Sequence, residues 1–505
     1  MPAADSPPIY LDYAASTPVD PEVIEAMTAA LRSPALVANA AAGSHAAGRH
    51  AAAVLEAARA DVAGLINADP DEIVFTSGAT EADNLAILGA ARFLESRGRH
   101  LVTSLTEHRA VLESCRHLAS RGWRVTWLKP DGSGRVAPEA LADALCPDTV
   151  LVSLMHVNNE TGAVQDLAAF GRICRARGVL LHVDAAQGAG RLPIDVRAQA
   201  IDLLSLSAHK LYGPKGIGAL FIDRQRVRRV EPLMYGGGQE RGLRPGTLPT
   251  HQIIGMGLAF RLAGPRREAD RRHVTALRDR LWSRLEAIPG VLCNGDPAHA
   301  AGHILNVSVA GVEGESLHAG LQGLAVASGA ACTSLTGEPS HVLRVLGRSA
   351  ALARSSVRFS FGRPTTTDDV DRAAAVFEGI VAELRARSPA FAMVPTLPVA
   401  GVLVRGEAGS AEGGTWVFVT ATVQDGVASG LAVRVFGCPH TMLACDRVAQ
   451  RLDGRLLTEF ARLDPLALAS ELKIPPEKAG RLLIVQDALR NCLADWENRG
   501  LSRTP

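Results

Sequence analysis

Val179-Leu-Leu-His-Val-Asp-Ala-Ala-Gln187, followed by Asp202-Leu-Leu-Ser-Leu-Ser-Ala-His-Lys210, decides the fold of this chain. Each stretch is a continuous apolar run of strand length that ends in polar groups, Asp184 and Gln187 in one, Ser207, His209 and Lys210 in the other. Continuous apolar runs mark strands buried on both faces, and helix-like stretches between them make the sheet mainly parallel. The same pattern precedes them in Glu72-Ile-Val-Phe-Thr76, His100-Leu-Val-Thr-Ser104 and Thr149-Val-Leu-Val-Ser153. Ligands of such sheets bind outside the carboxyl ends of the strands, and polar residues follow those ends here: Ser77-Gly-Ala-Thr80, Thr106-Glu-His108, Asp184 and His209-Lys210. An α/β fold with its functional groups along one rim is expected.

Working outward, 505 residues exceed a single core and call for two or three domains. A large mainly parallel domain is expected over residues 21–265. Residues 1–20 and 266–388 form a small α+β domain, with a charged helix from Arg266 to Ile288, strands around Ile304-Leu-Asn-Val-Ser308 and Ser356-Val-Arg-Phe-Ser360, and a capped closing helix from Thr367 to Arg387. Prolines and a Gly/Ala/Glu run read as a linker over 389–412. A third α+β unit, 413–505, opens with alternating strands (Thr415 to Val423, Ala428 to Phe436) joined at Asp425-Gly426 and ends in helices.

An apolar fraction of 47%, a charged fraction of 21% and a net charge of +1 describe an ordinary globular protein and give no basic footprint for nucleic acid or membrane. The N-terminus lacks the charged and apolar regions of a secretory leader, and no run of 18 apolar residues occurs, so a cytoplasmic location is the default expectation. Eight dispersed cysteines with no CxxC pair argue against a disulfide framework or a zinc site. A small-molecule substrate fits best.

Only five lysines occur, at 129, 210, 215, 473 and 478, so chemistry that needs a Schiff-base amine must choose among them. Lys210 follows a strand end and projects into the expected cleft, where desolvation and nearby cations would make its amine nucleophilic. A pyridoxal cofactor further needs a carboxylate for its ring nitrogen, a partner for its ring hydroxyl and a phosphate cradle. Asp184 and Gln187 offer the first two. Ser77-Gly-Ala79-Thr80-Glu81 supplies a glycine turn and hydroxyl at a helix start, an anion site by virtue of its unsatisfied N–H groups, with Ser207 and His209 to complete it. His108 follows another strand, where an imidazole can move protons against the ring or be a structural, hydrogen-bonded histidine.

Residues 9–385 resemble the cysteine desulfurases that feed iron–sulfur assembly, within fold type I of the pyridoxal-phosphate enzymes. The resemblance is carried, in order, by Leu11-Asp-Tyr-Ala-Ala-Ser-Thr-Pro18, Phe75-Thr-Ser-Gly-Ala-Thr-Glu-Ala-Asp-Asn84, Thr106-Glu-His108, His156-Val-Asn-Asn-Glu-Thr-Gly162, His182-Val-Asp-Ala-Ala-Gln187, Ser207-Ala-His-Lys210, Gly236-Gly-Gly-Gln-Glu-Arg-Gly242 and Ser328-Gly-Ala-Ala-Cys-Thr-Ser334. It implies pyridoxal 5'-phosphate as cofactor and L-cysteine as substrate. Lys210 is the implied Schiff-base lysine, Asp184 the partner of the ring nitrogen and Gln187 that of the ring hydroxyl. His108 would stack on the ring, Ala79, Thr80, Ser207 and His209 would hold the phosphate, and Asn159 and Arg358 the substrate carboxylate. Cys332 would accept the sulfur as a persulfide and pass it to an acceptor such as an iron–sulfur scaffold. Thr247 would reach the partner's site in a homodimer. Gln239 stands where a histidine is usual and Pro245 where a small residue is usual. Rival readings on the same fold are a selenocysteine lyase or another aminotransferase; a rival from another class is a non-catalytic assembly factor.

Residues 413–497 resemble, more weakly, the U-type scaffold on which iron–sulfur clusters are built, through Val433-Arg-Val-Phe-Gly-Cys438, Glu471-Leu-Lys-Ile-Pro-Pro-Glu-Lys478 and Asp487-Ala-Leu-Arg-Asn-Cys-Leu-Ala-Asp495. That scaffold needs three cysteines and an aspartate. Only Cys438 is kept; Gly413, Thr415 and Arg481 stand at the other positions. A cluster on this chain alone is therefore not expected, and Cys438 is left as a residual ligand or sulfur acceptor in a docking, regulatory or decayed unit.

Overall fold

Seven apolar segments build the central sheet of the computed structural model, which describes residues 7–328, 338–391 and 401–499. In chain order they are β1 (Ile73–Thr76), β2 (His100–Ser104), β3 (Arg124–Leu128), β4 (Thr149–Met155), β5 (Leu180–Asp184), β6 (Leu203–Ser207) and β7 (Gly218–Ile222). Their spatial order is β1-β7-β6-β5-β4-β2-β3. Strands β2 to β6 pair in parallel, and β7 runs antiparallel between β6 and β1. All residues of β1, β2 and β4 to β7 are buried, which accounts for their lack of alternation. One core, containing Phe75, Phe170, Phe221 and Phe260, lies on one face; a second, around Leu85, Leu101, Leu118 and Leu220, lies on the other.

A four-stranded sheet forms the small domain: β8 (Val291–Cys293), β9 (Ile304–Val309), β10 (Ala327–Ser328) and β11 (Ser356–Ser360). Ile9–Tyr10 pairs with Leu324–Ala325, and Leu11 enters the same core, so the N-terminal stretch joins this domain. The closing helix spans Thr367–Arg387, capped by a reciprocal Thr366–Asp369 box.

Two boundaries differ from the sequence reading. The charged helix expected from Arg266 begins at Thr250 and runs to Leu285, a length of about 54 Å, through Pro265. Its first half buries Ile253, Met256, Phe260 and Ala263 in the large core, and its second half buries Val274, Leu277, Leu281 and Leu285 in the small one. The domain boundary therefore passes through a continuous helix that contains Pro265 and is packed in both cores.

The second correction concerns 389–412. Val402–Ser410 is a strand, β12, paired along its whole length with β13 (Thr415–Gln424), which in turn pairs with β14 (Val427–Phe436). The third unit accordingly starts before 413. Its glycines and charges disguise β12 as a linker, yet Gly406 has a packing role. A Cβ there would lie 2.0 Å from the Ala488 carbonyl oxygen and 2.4 Å from the Cys492 nitrogen of the helix Leu482–Asn498. The Asp425-Gly426 turn joins β13 to β14 as expected, both residues having positive φ.

The third unit rests on the small domain. Ser316 Oγ donates to the Gly437 carbonyl at 2.7 Å, Lys478 pairs with Glu315 at 2.5 Å, and Arg387 pairs with Asp446 at 2.6 Å. Gly406→Val should destabilise this unit by about 1–3 kcal/mol, the usual cost of overpacking against backbone. Denaturant unfolding followed by the fluorescence of Trp416 and Trp496 should show an earlier transition; an unchanged midpoint would contradict the packing described.

Candidate active site

The strand ends β1, β2, β4, β5 and β6 surround a cavity of about 530 Å³. Among its lining residues are Ala79, Thr80, His108, Asn159, Asp184, Gln187, Ser207, His209, Lys210 and Arg358, each expected there from sequence. The convergence follows from strand direction: Asp184 closes β5, Ser207 closes β6, and Lys210 lies in the single turn Ala208–Lys210 that follows. Ala79 and Thr80 open α1 (Ala79–Leu94), whose first N–H groups have no partner within the helix. His108 caps α2 (Arg109–Ser120), its Nδ1 accepting the Ala110 N–H at 3.2 Å.

Lys210 Nζ donates to the carbonyls of Ala14 at 2.6 Å and Ala15 at 2.8 Å, which also line the cavity. Gln187 donates to the same Ala14 carbonyl at 2.7 Å. Asp184 accepts the Ala186 N–H at 2.9 Å. Thus the segment around Ala14, contributed by the small domain's own N-terminal stretch, forms one wall of the site.

Sequence reasoning missed the carboxyl groups packed beside Asp184. Asp83, one turn into α1, lines the cavity, and both its oxygens and Glu107 Oε2 are buried without a hydrogen-bond partner. Ser205 lies beside Asp83, but its hydroxyl is engaged by His182 Nε2 at 2.9 Å. Burial raises Asp83 and Glu107 well above the usual carboxylate range, and Asp184 adds to this in both. Asp184 therefore faces the cavity without two further anions beside it. The His182 imidazole is pushed down to about 3 by burial and is neutral. The sequence signal was present in Ala82-Asp83-Asn84, an acid on the inner face of a helix.

Burial also lowers His108, with Asp184 opposing and Lys210 reinforcing the shift. His209 is pushed down to about 4, first by burial and then by Lys210. A neutral His209 can donate one ring N–H to an anion while its Nδ1 stays with Ser16 Oγ at 3.2 Å.

Arg358, expected to hold the substrate carboxylate, is already engaged on both sides. One Nη donates to Asp12 at 2.6 Å, the other to the Asn159 carbonyl at 2.8 Å, and Nε is buried without a partner. A guanidinium only 5% exposed has to be paired, and the N-terminal stretch supplies the anion. Thr247 is exposed and lies outside this cavity. Cys332 lies outside the described residues. Cys438 is fully buried in the third unit, its Sγ 3.3 Å from Thr441 Oγ1 and beside the Arg481 guanidinium.

Residues 9–373 match the aminotransferase class-V family. The cysteine desulfurase IscS of Tolumonas auensis is 54% identical over 386 residues, which cover 76% of this chain and 96% of that one. Among solved structures, a NifS-like protein is similar at 34% identity with a TM-score of 0.69, covering 75% of this chain and all of the other. SspA in complex with cysteine is similar at 37% identity with a TM-score of 0.62, over 71% of this chain and 99% of that one. The chain belongs to the cysteine desulfurases.

That membership implies pyridoxal phosphate, and this site fits it. The cavity is large enough for a small cofactor, a helix start offers donors to a phosphate, and Asp184 and Lys210 face the same space. The class-V match ends at 373, before the third unit. Among the described residues one group, His100, Cys146 and Asp148, has the spacing of a metal site. It is already satisfied: both His100 nitrogens bond threonine hydroxyls, and Arg124 lies against Cys146 and Asp148.

His156, pushed down to about 4 by burial, and His209 should both remain neutral between about pH 5.5 and 8, whereas an ordinary imidazole titrates near 6.5. Histidine NMR titration of the full chain, assigned by substitution, checks this; a midpoint near 6.5 for either would contradict the burial described.

Proposed function

We propose that this cysteine desulfurase converts L-cysteine to L-alanine and stores the sulfur as a persulfide on Cys332 before delivery to a separate acceptor protein. What supports the reading most is the convergence of Lys210 and Asp184 on one cavity beneath the start of α1. The bound cofactor supplies an electron sink for the substrate carbon. Lys210 would hold it, and its amine at the cavity wall would be placed to move protons at the substrate carbons. Asp184 would pair with the ring nitrogen, Gln187 with the ring hydroxyl, and Ala79, Thr80, Ser207 and the neutral His209 would hold the phosphate.

His108, lowered by burial, is a base at neutral pH and can take the proton of the substrate thiol or amine. Asn159 and Arg358 fix the substrate carboxylate; Asp12 holds the guanidinium in place and can yield one edge to the incoming anion. Cys332, as thiolate, attacks the substrate sulfur. A sulfur–sulfur bond forms as the carbon–sulfur bond breaks, its electron pair stays with the carbon, and protonation there gives the methyl group of alanine.

A homodimer completes the site. Tyr235, 83% exposed, and Val37, 86% exposed, offer apolar surface to a second copy, and Thr247, exposed on the segment after Tyr235, is available to the partner's phosphate. No helix among the described residues is long and apolar enough to cross a membrane, and a cytoplasmic setting suits a free thiol nucleophile. The third unit acts as a docking or stabilising module derived from a U-type scaffold. Its buried Cys438 beside Arg481 in place of further cysteine ligands supports that role over cluster building.

Lys210→Ala should abolish the absorbance of the cofactor–lysine adduct and alanine formation. Cys332→Ala should keep that absorbance yet lose persulfide on intact-mass analysis and slow alanine formation by about 10²-fold or more, as expected for loss of a nucleophile. Peptide mapping after cysteine treatment locates the sulfur. Normal turnover in Cys332→Ala would point to the selenocysteine-lyase type of chemistry, and sulfur on Cys438 only when Cys332 is present would reassign the third unit as an acceptor.

A further inference from the structure

The turn after β4 carries a carboxyl group that the reaction scheme leaves unused. Glu160 follows Asn159 and projects from the large domain onto the small one. Its Oε2 accepts the Ser340 hydroxyl at 2.5 Å, and its backbone carbonyl accepts Asn306 Nδ2 of β9 at 3.0 Å. The adjacent Asn159 carbonyl is the one that accepts Arg358. The turn is itself rigid: Asn158 Oδ1 accepts the N–H groups of Glu160 and Thr161, both at 2.9 Å. Asn158 Nδ2 donates to the Thr106 carbonyl, two residues before His108. One turn thus ties together the His108 loop, Arg358 and Ser340.

Ser340 is the anchor on the other side. It is 3% exposed and caps the short helix His341–Val345, its Oγ accepting the Leu343 N–H at 3.2 Å while donating to Glu160. The neighbouring His341 Nε2 bonds the Glu107 carbonyl at 3.2 Å, next to His108. In sequence Ser340 is the eighth residue after Cys332, so the chain bearing the nucleophile has to return to a point that Glu160 fixes.

We propose that Glu160 is a positioning residue for sulfur transfer, clamping Ser340 to the turn that also holds the substrate-carboxylate arginine, so that the nucleophile-bearing segment and the substrate share one reference point. The clamp depends on ionisation. As a carboxylate, Glu160 accepts the Ser340 proton through a charged oxygen; as an acid, it keeps only a neutral acceptor oxygen for that proton, so the contact weakens without being lost. Burial pushes the Glu160 carboxyl up to about 7, opposed by the Ser340 hydrogen bond and by the charges of Arg358 and Arg109, the groups that face it. The clamp therefore strengthens as pH rises through about 7 and loosens below it.

The test rests on the Cys332 reading and is run beside Cys332→Ala on the cofactor-loaded full chain. Glu160→Ala and Ser340→Ala should each lower kcat about tenfold, with KM for cysteine and cofactor absorbance little changed. The double variant should be no slower than either single one, because both remove the same contact. Glu160→Gln keeps an acceptor oxygen for Ser340 and should retain most of kcat, yet lose the limb of the pH–kcat profile near 7. Additive effects in the double variant, a change confined to KM, or a Glu160→Gln profile that keeps the limb would each overturn the proposal. If Cys332→Ala itself turns over normally, the failure lies with the persulfide reading and not with the clamp.

Discussion

Parallel pairing of β2 to β6 is the constraint on which the site depends. Strands that run the same way deliver all their carboxyl ends to one rim, while the polar groups within their buried faces, such as His182 and Ser205, are spent on one another. Asp184, Ser207 and Lys210 come from separate stretches of chain, yet they share the rim because β5 and β6 are neighbours in register. The antiparallel β7 does not disturb this, since it lies between β6 and β1 and brings Gly218 against Gly78 at the start of α1.

A rim of this kind concentrates charge, and the protein handles the charge in two ways. Some groups are neutralised by burial: Asp83 and Glu107 are shifted toward their acid forms, and His182 and His209 toward neutrality. Others are paired. Arg358 takes Asp12, and Glu240 takes the buried Arg59 at 2.7 Å while also accepting the Phe75 N–H at 2.7 Å, which fastens the glycine-rich segment at 236–242 to β1. Both devices leave Asp184 and Lys210 facing the cavity with their surroundings fixed.

The two domains meet around this rim rather than beside it. The N-terminal stretch crosses to give Ala14 and Ala15, the turn at 158–161 reaches back to Asn306 and Ser340, and a single helix from Thr250 to Leu285 enters both cores. Shifting one domain against the other would therefore alter the substrate site directly. Among the described residues, the third unit leans on Glu315, Ser316 and Arg387 of the small domain, with Cys438 turned inward.

Much of this was legible in the sequence because strand patterning and end residues are local properties. Apolar runs ending in Asp184 and Lys210 specified a parallel sheet and its ligand rim, and the scarcity of lysine singled out Lys210. What the sequence hid were features that depend on what packs against what. The charged stretch reads as a helix that starts at Arg266 until both cores hold it continuous with the residues from Thr250, and Gly406 reads as linker until the helix carrying Ala488 and Cys492 lies on it. Arg358 reads as a contact for the substrate carboxylate alone until burial obliges it to pair with Asp12. Asp83, Glu107 and Glu160 sit in stretches the sequence singles out, yet how deeply they are buried is decided only by the tertiary structure, and burial, by raising the cost of their charge, decides what each can do.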